Sequence, residues 1–131
     1  MTEPESALTG APKLLIDRIE SGETFTESCP AHEVLKHVTS RWGVLILIVL
    51  RRGSSRFSEL RRKINGVSEK MLAHTLQLLT DDGFICKQIV SEKPLHIDYS
   101  LTKNGVIVSC KIEELANLLE INSIKTTDMF E

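Results

Sequence analysis

The segment from Ser68 to Gly83 constrains this chain more than any other part of it. Leu72, Leu76 and Leu79 fall at i, i+4 and i+7, the spacing of one helix face, with Met71, Thr75 and Leu78 beside them. Lys70, Ala73, His74, Gln77 and Asp81 fall on the opposite stripe. Ser68 is placed to cap the first turn, Glu69 meets the positive end of the helix dipole, and Gly83 can end the last turn. Asn65-Gly66-Val67, immediately upstream, is a turn signal. The segment is therefore a helix entered from a tight turn, with one face to bury and a polar, partly basic face left outward.

The material that can cover its apolar face lies on both sides. Pro30 suits a first helical position, where its missing N–H has no partner to lose, and Val34, Leu35 and Val38 follow on one face. Thr39-Ser40 is a polar break and cap. Trp42 to Arg52 contains GVLILIVL, which fits a buried strand or an all-round buried helix by periodicity; the basic flanks Arg41 and Arg51-Arg52, with Gly53 as a stop, favour about three turns of helix. The uninterrupted apolar run, Val44 to Leu50, is far short of the ~20 residues of a membrane-spanning helix. Arg56-Phe57 leaves room for a very short strand, and Ser58 is the expected cap of a helix over Glu59 to Ile64. Downstream, Phe84 to Ser91 and Leu95 to Leu101 read as strands joined across Glu92-Lys93-Pro94. Thr102 then caps a long final helix striped by Val108, Ile112, Leu115 and Leu119 and widened by Val106, Cys110, Ala116 and Leu118. That apolar face is wider than one small core needs, which points to pairing with a second copy. A chain of 131 residues makes one domain. The expected organisation is an arm over 1–28, with Leu14, Leu15, Ile16 and Ile19 able to form one or two helical turns. A domain over 29–122 ends in the dimerisation helix, and 123–131 form a tail.

The net charge of -2 conceals a reversal along the chain. Val34 to Thr75 carries nine basic residues against Glu59 and Glu69, whereas the segments before and after it are acidic. A short helix, a tight turn, a second helix with a polar outer face and a hairpin, all coinciding with the basic third, is the order of a winged helix-turn-helix. The fold class is accordingly mainly α with a small antiparallel β wing (α+β). Arg61, Arg62 and Lys63, at the exit of the first helix, are placed for DNA phosphates, whose counterions a bound cation releases. Ser68, Lys70, His74 and Gln77, toward the outer face of the second, are placed to reach base edges in a major groove. The partner this implies is double-stranded DNA. The competing class is a protein interaction module with a basic face and no DNA role.

The run Cys29-Pro30, EVLKHVTSRWGVLILIVLRRG from Glu33, RFSELRRKINGVSEKML from Arg56, DDGFI from Asp81 and YSLTKNG from Tyr99 together resemble the HxlR-type family of bacterial winged-helix transcriptional regulators. The resemblance implies a homodimer joined through helices outside the helix-turn-helix. It also implies a recognition helix over about 68–82 and a wing over about 92–96, with Arg56, Lys93 and His96 on the DNA backbone or in the minor groove. Lys87 stands where the family commonly has Arg, and Cys86 matches no family landmark.

Three cysteines, Cys29, Cys86 and Cys110, are an odd, widely spaced set, which argues for free thiols in a reducing compartment and, without a secretory signal, for the cytoplasm. Cys29 precedes Pro30, so its sulfur would lie at the positive end of a helix, where a thiolate is favoured, although Glu33 opposes it. The resemblance adds that some family members answer oxidants or electrophiles through a cysteine at this position, making a small electrophile or oxidant a second expected partner; a buried packing residue is the alternative. No nucleophile motif joins Cys29 to His32, His37, His74 or His96, so no enzyme is expected. Cys29, His32 and His37 lack the paired spacing of a metal site, so neither metal nor other cofactor is expected.

Overall fold

The structure, a computed structural model, describes residues 14–22 and 30–129. The chain divides into two units, Met1–Glu33 and Val34–Glu131, five residues beyond the expected end of the arm. In the first, the Leu14 to Ile19 group forms helix α1 (Leu15–Glu20), closed by a Ser21 Oγ donation to the Arg18 carbonyl at 2.9 Å.

Helix α2 (Pro30–Thr39) begins at the proline, as its fixed φ requires. Ser40 ends it and caps α3 (Arg41–Leu50), its Oγ accepting from Gly43 N–H at 3.1 Å. The ambiguous apolar run is thus a helix, and it is the centre of the molecule: Ile46 and Leu47 are fully buried and Leu50 nearly so. Around it gather Val38, Leu60, Ile64, Val67, Leu72, Leu76, Leu79, Ile85 and Ile112. Leu35 and Met71 stay out of this core, exposed despite lying near their helices' apolar faces.

Strand β1 is only Ser55–Arg56, and α4 (Phe57–Lys63) follows without a gap. Ser58 is not its cap. The helix starts at Phe57 because β1 pairing holds Arg56 extended, and the Glu59 carboxylate accepts from Arg56 N–H at 2.8 Å. Gly66, at φ 91°, makes the turn into α5 (Glu69–Asp81), whose cap is Ser68, Oγ accepting from Met71 N–H at 3.0 Å. Trp42 Cη2 rests beside this turn.

Strands β2 (Ile85–Glu92) and β3 (Leu95–Leu101) form a hairpin across Lys93-Pro94, and the antiparallel sheet has the order β1-β3-β2. Register pairs Ser55 with Tyr99, Arg56 with Asp98 and Ile85 with Leu101, with an irregularity between Ile89 and Ser91. Helix α6 (Lys103–Met129) is capped by Thr102, whose hydroxyl accepts from Gly105 N–H at 3.0 Å and donates to the Gly83 carbonyl at 2.6 Å. Gly105 is required there, since a Cβ would press into the Phe84 carbonyl. The helix continues past residue 122 to Met129. Arg51 locks α3 to α6: Nε donates to Glu113 at 2.6 Å, and Nη1 reaches Ser109 Oγ and the Val106 carbonyl, each at 3.4 Å. Among the described residues no helix is long and apolar enough to cross a membrane.

Candidate nucleic-acid interface

Helix α5 is oriented by burial. Leu72, Leu76 and Leu79 are 0 to 2% exposed, and Thr75, also buried, returns its hydroxyl to the Met71 carbonyl at 2.8 Å. With that face fixed, the 3.6-residue repeat forces Lys70, Ala73, His74, Gln77 and Asp81 to the outside, and all five are exposed. Ser68 is also exposed, although its oxygen is engaged as the cap. Gln77 is tied along the helix, its amide donating to Asp81 Oδ1 at 2.8 Å. Lys70 and His74 therefore present the two cationic or neutral donors of this face without such a tie to Asp81, and the Gln77 amide retains its oxygen and second N–H.

The end of α5 is anchored by His37 of α2, whose Nδ1 lies 2.6 Å from Asp82 Oδ2 with both side chains largely buried. This contact spans 45 residues of sequence and holds the last turn of α5 against the scaffold.

Arg61, Arg62 and Lys63 occupy the last turn of α4 and are exposed. Arg61 makes only a loose contact with Glu69, 3.6 Å away, with side chains 51% and 72% exposed. At that exposure the pair is screened by water and leaves the guanidinium able to exchange a carboxylate for a phosphate. Lys93 is exposed in the two-residue hairpin turn. Arg56 and His96 are brought together: Arg56 Nε and Nη2 lie 2.8 Å from His96 Nε2 and Nδ1. Asp98, absent from the sequence-based set, completes the group, 2.9 Å from His96 Nε2. Strand alternation placed Asp98 on the face of His96 two residues away, a signal available in the sequence; the arrival of Arg56 from β1 was not. Arg51, counted in the basic third, is spent on α6. Cys29 lies outside the described residues, whereas Cys86 is exposed and Cys110 half-buried as free thiols.

A pair of helices joined by a tight turn, the second buried on one face and polar on the other, followed by an antiparallel hairpin and a backing helix, defines the winged helix-turn-helix class of DNA-binding proteins. Within that class the chain belongs to the HxlR-like helix-turn-helix family, which matches residues 37–126. It is 56% identical over 108 residues to the HTH-type transcriptional regulator YtfH of Escherichia coli K12, covering 82% of this chain and 86% of that one. The solved structure of YtfH from Salmonella typhimurium superposes with a TM-score of 0.74 at 54% identity, covering 82% and 96% of the two chains. The reduced form of the regulator YodB from Bacillus subtilis superposes at 0.59 with 32% identity, covering 68% and 88%. The protein is thus a transcriptional regulator of a non-enzymatic family, with the expected resemblance and fold class both correct.

Proposed function

We propose that the chain is a homodimeric, sequence-specific DNA-binding regulator of the cytoplasm, reading operator bases with Lys70, His74 and Gln77 of α5. Arg61, Arg62 and Lys63 hold phosphates, and the β2–β3 hairpin with Lys93 is the wing. The observation that carries this reading is the orientation of α5: three buried leucines turn a row of exposed polar donors outward beside an exposed cluster of cations on α4. Support for the dimer comes from α6, where Leu115, Leu118 and Leu119 are each about half exposed. An apolar groove of about 280 Å³, lined by Thr39, Val44, Ile112, Leu115, Ala116 and Leu119, lies along the same helix. A contiguous apolar strip of this kind is characteristic of a covered interface, and a two-fold protein matches a two-fold DNA site. Purified protein incubated with fragmented genomic DNA tests the whole reading. Recovery of fragments that share a sequence element supports it; recovery of none at low salt would return the chain to the class of protein interaction modules.

The thiol response assigned to Cys29 belongs to the same proposal, supported by the likeness to YodB, solved in both reduced and diamide-treated forms. Diamide should release wild type from recovered DNA, reversibly with reductant, while Cys29→Ser stays bound. Equal behaviour of the two proteins would make Cys29 a packing residue.

A further inference from the structure

A recess of about 360 Å³ opens where the end of α3, the Gly53-Ser54 loop, the end of β3 and the first turn of α6 meet. That volume lies within the ~300 to 1,000 Å³ of sites that hold small molecules. Part of its wall is apolar, made by Leu50 of α3, Leu101 of β3 and Val106 of α6. Val106 is 51% exposed, and helical spacing from Ile112 turns it away from the Ile112–Leu115–Leu119 strip. A dimer joined through that strip therefore leaves Val106 uncovered.

The polar part of the wall is a set of donors. Arg51, which borders the recess, is fixed through two of its three nitrogens: Nε donates to Glu113 at 2.6 Å, and Nη1 reaches the hydroxyl of the fully buried Ser109 and the Val106 carbonyl at 3.4 Å each. Nη2 keeps both of its N–H groups, with no hydrogen bond among the described residues, and the Ser54 and Ser100 hydroxyls have none there either. Glu113 is engaged at Nε and does not line the recess. A guanidinium held in place beside two hydroxyls suits a group that only accepts hydrogen bonds, and a carboxylate does so through two oxygens. The apolar wall then takes the rest of the molecule.

We infer that this recess is an effector site for a small carboxylic acid with an apolar body, its carboxylate held by Arg51 Nη2 and the Ser54 and Ser100 hydroxyls. Strand β3 belongs to the wing hairpin and α6 is the helix assigned to the dimer, so a ligand that touches both favours the arrangement in which they close on it. The effector role rests on the DNA-binding reading above; the ligand site does not.

Benzoate is the probe, because its rigid ring loses little entropy on binding, and benzamide is the control, because its amide replaces one acceptor oxygen by donors. Calorimetric titration of the full chain should give a benzoate Kd on the order of 1 mM or tighter, with benzamide about tenfold weaker or more. Arg51→Lys can keep a bond to Glu113 but loses the fork of donors, and Ser100→Val removes a hydroxyl from a position where a strand accepts valine. Each should weaken benzoate about tenfold or more while keeping the fold by circular dichroism. Anisotropy of a fluorescein-labelled duplex, with sodium benzoate exchanged against sodium chloride to hold the salt contribution constant, reads the effector role. Apparent affinity should change about fivefold or more in wild type and stay fixed in Ser100→Val. Absence of benzoate binding, equal binding of benzamide, or wild-type affinity in a folded Arg51→Lys or Ser100→Val would overturn the site. Benzoate binding with an unmoved duplex affinity would overturn the effector role alone. Absence of duplex binding with and without benzoate would overturn the DNA reading and the effector role with it, while calorimetry still decides the ligand site.

Discussion

Replacing Arg61 and Arg62 together by alanine separates anchoring to DNA from stability of the fold. Both side chains are exposed on the last turn of α4, and the ion pair there, Arg61 to Glu69 at 3.6 Å, joins groups that are 51% and 72% exposed. Such a pair contributes about 0.5 kcal/mol or less, and loss of two cations at a helix C-terminus costs about 0.3 to 1 kcal/mol each at low salt. Against a typical stability of about 5 to 15 kcal/mol, the double variant stays folded. Its DNA binding changes in a defined way. Each phosphate contact contributes about 0.9 to the slope of log affinity against log salt, so losing two per subunit makes the slope shallower by about 1.8. Between about 50 and 200 mM salt, wild type should therefore lose about tenfold more affinity per subunit engaged than the variant does. The assay is fluorescence anisotropy on a duplex at four or more salt concentrations, with circular dichroism as the control for fold. A folded double variant with the wild-type slope would refute the placement of the anchor on α4.

Leu76→Ala, at a site 2% exposed between α3 and α5, should cost about 2 to 5 kcal/mol, read from urea unfolding followed by the fluorescence of the single Trp42; a loss under about 1 kcal/mol would mean that the α5 face is not packed as described. Lys70→Ala and His74→Ala should each cost about 1 to 3 kcal/mol on the operator recovered from genomic DNA while sparing arbitrary sequence; unchanged operator preference in these and in Gln77→Ala would remove α5 as the reader. Leu115→Glu combined with Leu119→Glu should convert a dimer to a monomer in sedimentation velocity, because it buries two charges in the apolar strip on α6; a monomeric wild type would refute the interface.

Much of the architecture was legible because its signals are local. Ser40, Ser68 and Thr102 cap the helices they precede, Gly66 makes the turn, and the period of Leu72, Leu76 and Leu79 fixes which side of α5 faces out. Each depends on residues within one or two turns of chain, so propensity and periodicity suffice. The resemblance to the family rested on such segments too, and the family match over residues 37–126 agrees with it.

What tertiary structure alone decided are the contacts between residues far apart in sequence. The start of α4 followed β1 pairing with β3, where Arg56 meets Asp98 42 positions on, and so bypassed Ser58, a sound local cap that the sheet left inside the helix. Arg51 looked like part of a basic surface until α6 brought Glu113, 62 positions on, to within 2.6 Å. Arg56 and His96, each read as a separate cation for the wing, became one hydrogen-bonded group when the sheet closed. Met71 and Leu35 had the period of core residues, but the width of a buried face is set by the neighbours that cover it, and the packing stopped short of them. Composition and period determined which elements form and which face of each is apolar; the assembly of those elements determined which charges are consumed within the protein and which stay exposed, because an ion pair depends on distance in space and not along the chain.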